Sequence, residues 1–203
     1  MSVENIIPSI ETCCKVLFVA FLFFNVQETL SPSCVAQSPG QTRISRKSVG
    51  PIRLGMTVAR VRKALPGAKL SRTSDGEGVA LIAVERRGKT LMTLYAGEDD
   101  PSARINERGV VEVIEVWTGS YSTSSGVRPR MSLRDVEKRY GKLKEIMMSE
   151  IESREYATFV RQPSGIQFRV RNDNGTAGVY QEGQNTSKSY APRSYVFSIL
   201  ITK

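Results

Sequence analysis

The stretch Ile52–Gly67, IRLGMTVARVRKALPG, returns later in the chain as Val127–Gly141, VRPRMSLRDVEKRYG. With Met56 laid on Met131, Arg53 meets Arg128, Thr57 meets Ser132, Val61 meets Val136 and Lys63 meets Lys138. Each copy has the grammar of a short capped helix. Thr57 and Ser132 stand where a side-chain oxygen serves the free N–H groups of a first turn. Met56 and Met131 precede those caps, and Val61 and Val136 follow at the position where a hydrophobic staple closes. Asp135 adds a negative charge to the positive end of the second helix. Val58, Val61 and Leu65 share one face, as do Leu133, Val136 and Tyr140. Pro66-Gly67 and Gly141 end the two segments. Such helices are expected to sit on a sheet rather than to act as recognition helices.

Working outward, each copy is followed by a run of strand signals. After the first come 68–72, the apolar run VALIAVE (79–85), a turn at Arg86–Lys89, 90–95, and VVEVIEVW (110–117). After the second come 142–149, 156–160, the cleanly alternating IQFRVR (166–171) and 195–201. The expectation is an α+β chain of two tandem repeats, 51–120 and 121–203, each a short helical segment on its own antiparallel sheet of about four strands. The Ser/Thr/Gly-rich crossover at 118–127 joins them. The loops 97–108 and 172–193 are polar. The acidic triplet Glu98-Asp99-Asp100 lacks calcium-loop spacing and reads as a solvated tip.

The N-terminal part differs in kind. Lys15 is followed by VLFVAFLFF, a run of signal-peptide length, and Cys34-Val35-Ala36 has the small residues of a cleavage site. Residues 1–36 are expected to be a signal peptide or an N-terminal anchor. Cleavage after Ala36, retention in the membrane and lipidation of Cys34 are the three fates considered. Residues 37–50, QSPGQTRISRKSVG, read as a flexible basic linker.

Composition bounds the chemistry. The 203 residues include no histidine, and the three cysteines, Cys13, Cys14 and Cys34, all precede the linker. That removes the commonest general base, the usual nucleophile–base triads, a disulfide in the folded part and thiolate metal sites. No enzyme activity, cofactor or metal site is expected. Net charge is +9; residues 1–36 hold one lysine against three glutamates, so the remainder carries +11. A basic body favours an anionic partner.

The stretches LGMTVARV (54–61) and RMSLRDV (130–136) resemble the helix start of two exported families: the outer-membrane assembly lipoproteins of the SmpA/OmlA (BamE) type, and the tandem-repeat β-lactamase inhibitory proteins. The resemblance implies an exported, cell-envelope protein built from BamE-like repeats. Arg130 stands where the motif expects glycine, and the cysteines that brace the inhibitor are missing. The function expected is a non-enzymatic protein-binding module whose partner is an unknown protein or an anionic envelope component, with membrane contact through the N-terminal segment. Its site residues are expected to be Arg161, Arg169, Arg171, Tyr180 and Tyr190, arginines suited to carboxylates and tyrosines suited to anchoring. The alternatives are a secreted inhibitor that binds an enzyme and, for a chain that is not exported, a basic nucleic-acid-binding protein. Dispersed basic residues and the missing aromatic RNA-binding motif weigh against nucleic acid.

Overall fold

The computed structural model of the chain describes residues 42–150 and 153–202. The expected signal or anchor, residues 1–36, and its cleavage or lipidation point fall outside the described residues. Three two-residue strands come first, β1 (Arg43–Ile44), β2 (Ser48–Val49) and β3 (Ile52–Arg53), then helix α1 (Val58–Ala64). Strands β4 (Lys69–Ser74), β5 (Ala80–Arg86), β6 (Lys89–Tyr95) and β7 (Val113–Val116) follow. After β8 (Ser122–Thr123) and helix α2 (Leu133–Tyr140) come β9 (Leu143–Met148), β10 (Glu155–Phe159), β11 (Ile166–Arg171), β12 (Thr186–Ser187) and β13 (Tyr195–Thr202). Among the described residues no helix is long and apolar enough to cross a membrane.

This architecture corrects the expectation of two helix-on-sheet repeats. Among the described residues the protein is mostly β: two helices have seven and eight residues, and the strands form one sheet of nine and one of four. The large sheet runs β12-β9-β10-β11-β13-β7-β6-β5-β4, so the two halves share it, joined where β13 pairs antiparallel with β7. The small sheet, β3-β2-β1-β8, pairs β1 in parallel with β8 from the crossover. The basic stretch expected to be a tether is therefore structured from Arg43 onward.

One apolar rung explains the shared sheet. Leu70, Val84, Met92, Val116, Ile199, Phe168, Ala157 and Ile146 are successive cross-strand partners from β4 to β9. All are buried, and a second rung of Ile82, Leu94, Ile114, Ile201 and Ile166 lies beside them. Side chains alternate between the faces of a strand, so these residues make one face apolar across the sheet. That face is covered by Val58 and Val61 of α1, by Leu133, Val136 and Tyr140 of α2, and by Ile44, Val49 and Ile52 of the small sheet, all in one core. The partly buried Met56 and Met131 pack against it.

The helix starts are docked by backbone. Val58 N–H and Ala59 N–H donate to the carbonyls of Gly109 and Glu107, just before β7, and Leu133 N–H donates to Ser194, just before β13. These carbonyls satisfy donors that a helix leaves free at its N-terminus. Thr57 accordingly makes no side-chain cap hydrogen bond, contrary to expectation. Ser132 does: its Oγ accepts from Asp135 N–H at 3.2 Å and donates to Asp135 Oδ2 at 2.7 Å. Lys138, hydrogen-bonded to the Asp135 carboxylate, and then Ser132 hold that carboxyl below its usual range. Ser132→Ala is expected to cost about 1 kcal/mol of stability and Thr57→Ala less than about 0.5 kcal/mol; urea denaturation of both variants checks the asymmetry. Arg130 stands one residue before Met131, as Gly55 stands before Met56, and both have positive φ, +72° and +83°. Arg130 tolerates this strained backbone while its guanidinium lies 4.9 Å from the centre of the Tyr195 ring.

Candidate binding site

Among the described residues no helix covers the other face of the nine-stranded sheet. Over β5, β6, β7, β13 and β11 it forms a cleft of about 1030 Å³. Its walls are two loops: the β4–β5 turn at Thr73–Gly76, and residues Ser153–Glu155 with Gly175 and Thr176. Asp75 and Arg154, from opposite walls, approach to 3.7 Å. The sheet thus curls far enough for its two flanks to meet over one end of the cleft.

The floor combines aromatic rings with arginines. Trp117 meets Phe197 edge-on with centroids 5.4 Å apart. The Arg169 guanidinium lies 5.9 Å from the Trp117 centroid and 5.2 Å from that of Phe197, and Arg171 lies 5.1 Å from Phe197 on its own account. Beneath them Trp117 Nε1–H donates to Thr93 Oγ1 at 3.1 Å. Glu115 accepts from Ser198 Oγ and faces Arg169 at 3.5 Å. Ser198 is fully buried, so this network is ordered before any ligand arrives. Arg171 is exposed and, among the described residues, has no carboxylate partner.

A β-bulge puts Phe197 here. Arg169 pairs with Ser198 but Val170 pairs with Val196, so Phe197 is an extra residue on β13. Strict alternation from Ile201 and Ile199 would send Phe197 into the core and Val196 out. The bulge reverses this: Val196 is fully buried and Phe197 lines the cleft.

The expected site residues divide. Arg169 and Arg171 line the cleft together. Arg161 does not join them; it lies in the turn after β10, its N–H donating to Tyr140 O and its side chain beside Gly141. Tyr180 and Tyr190 are fasteners. Tyr180 Oη donates to Glu155 Oε1 at 2.8 Å, and burial followed by this bond raises its pKa. Tyr190 Oη donates to Glu137 Oε2 at 2.8 Å, and burial followed by that bond pushes its pKa up to about 12. Glu155, only 6% exposed, also accepts from Ala177 N–H at 2.6 Å and Gly178 N–H at 2.7 Å, pinning the long 172–193 loop. The acidic triplet is likewise engaged: Glu98 pairs with Arg72 and Asp100 accepts from Ser102, so Glu98 anchors its loop rather than capping a solvated tip. Among the described residues no group of three or more acidic side chains is placed to hold a metal ion.

No protein-family model matches the sequence, and no curated protein matches it. The crystal structure of the uncharacterized protein yfeY from Escherichia coli is similar, with a TM-score of 0.54 and 13% identity over 80% of this chain and all of yfeY. At that identity the likeness speaks to the fold alone. Trp117, Phe197, Glu115 and Thr93 were not among the residues expected from sequence. Their one signal was Trp117 sharing a strand phase with Glu115, an aromatic on the polar side of VVEVIEVW.

Proposed function

We propose that the protein is a non-enzymatic binding module of the cell envelope and that the cleft on the open sheet face receives its partner. The observation that carries this reading is the stack of Trp117, Arg169, Phe197 and Arg171 on a pre-ordered floor. Aromatic and arginine side chains at the base of a concavity supply large contact area with little reorganisation. The signal-like sequence of residues 1–36 supports export, and the missing histidine supports binding over catalysis. The positive body would draw an acidic envelope component toward the cleft.

Arg171→Glu combined with Arg169→Gln is expected to lower association of the purified protein with envelope fractions at least about tenfold, since hydrogen bonds to charged groups contribute roughly 1.5–3 kcal/mol. Arg161→Glu, outside the cleft, is expected to leave association unchanged. Sedimentation with washed envelopes reads both, and unaltered association of the double variant would sink the proposal.

A further inference from the structure

Resting on the binding role proposed for this cleft, we infer that its ligand is a short saccharide chain bearing a carboxylate, with the acid group held by Arg171. Charge comes first. The carboxylate of Glu155 is buried against Ala177, Gly178 and Tyr180, so the cleft presents Arg154, Arg169 and Arg171 against Asp75 and Glu115, an excess of one positive charge. A polyanion, with a charge on every unit, needs an excess of lysine and arginine along its track. This cleft has an excess of only one, although the body is strongly basic. Of the three cleft arginines, Arg154 pairs with Asp75 and Arg169 faces Glu115, while Arg171 is exposed and without a carboxylate among the described residues. The site therefore suits a ligand with isolated acid groups.

The lining then selects the scaffold. Thr73, Ser74, Thr93 and Thr176 share the lining with Tyr95, Trp117 and Phe197. A pyranose ring matches that lining, with a C–H face for aromatic contact and a rim of hydroxyls for Thr, Ser, Glu and Arg. A peptide would instead ask for discrete apolar pockets or a free strand edge, whereas the floor here lies within the sheet, on β6, β7, β13 and β11. Small-molecule pockets span roughly 300–1,000 Å³. At about 1030 Å³ the cleft has room for several rings.

Trp117 is the only tryptophan of the chain, so its fluorescence reports on this cleft and nowhere else. The purified full chain is titrated with aldotetraouronic acid (three xyloses and one glucuronate), with the neutral xylotetraose and with an end-blocked tetrapeptide that carries a single glutamate. Aldotetraouronic acid is expected to shift Trp117 emission saturably, and xylotetraose to do so at least about tenfold more weakly. Arg171→Gln is expected to reduce aldotetraouronic acid affinity about tenfold and xylotetraose affinity far less, so that the acid preference collapses, which a merely structural arginine would not do. Unaltered acid preference in Arg171→Gln overturns the assignment to Arg171. Saturable binding of the single-glutamate peptide with silent saccharides overturns the saccharide class while leaving the binding role intact. Silence of all three probes overturns the saccharide inference as well. The binding role falls only if envelope association is also indifferent to the cleft variants.

Discussion

Glu155→Ala is expected to destabilise the protein by roughly 3–5 kcal/mol, because it strands three buried or half-buried donors that each cost about 1–3 kcal/mol without an acceptor. Those donors are Ala177 N–H, Gly178 N–H and Tyr180 Oη–H, all aimed at one carboxylate. The damage extends past stability. Gly175 and Thr176 form part of the cleft wall and belong to the loop that Glu155 holds. Glu155→Gln keeps one acceptor oxygen and is expected to lose about half as much. Urea denaturation gives the energies, and Trp117 emission in the native baseline reports whether the wall has moved. A loss under about 1 kcal/mol for the alanine variant would mean that water replaces the carboxylate and that the loop stands by itself.

Phe168→Ala is expected to cost about 3–5 kcal/mol, by removal of a buried aromatic from a core that relaxes only in part. Phe168 is fully buried at the middle of the longest apolar rung. It meets Tyr140 of α2 at 5.7 Å and Phe159 of β10 at 5.9 Å between ring centres. The truncation therefore loosens a helix and two strands together. Phe197→Ala, one strand away on the opposite face, makes a useful contrast: it is expected to cost less stability and to weaken ligand binding instead. A midpoint shift at constant denaturant slope identifies the first effect as stability. Equal losses from the two truncations would contradict the division of the sheet into a packed face and a receiving face.

Much of the strand layout was legible. Ile166, Phe168 and Val170 alternate with Gln167, Arg169 and Arg171 in the sequence, and β11 buries the first three. The helix starts at Thr57 and Ser132 were legible from cap residues followed by apolar spacing. What failed was the step from repetition to independent sheets. Alternation tells which residues share a face but not which strand lies alongside, and nothing in VVEVIEVW announces Tyr195–Thr202 as its neighbour. The strands between Arg43 and Arg53 are two residues long, too short for any period to show. Within the cleft, Arg169 and Arg171 were visible as basic residues on the polar side of a strand. Phe197 was not, because a bulge shifts its phase, and bulges leave little mark on hydrophobic pattern.

The order of manufacture follows from the place of β13. It is synthesised after every other described strand, yet it sits at the centre of the nine, between β11 and β7. Until it arrives, a growing chain carries two part-sheets whose inner borders, β7 on one and β11 on the other, lie bare and ready to pair with a stranger. Assembly must then wait for a contact across more than eighty residues, such as Val116 with Ile199, which is slow to form. A chain with that schedule carries both open borders until Tyr195–Thr202 emerges, and a holdase that shields β7 and β11 in that interval is expected to raise the yield of native protein.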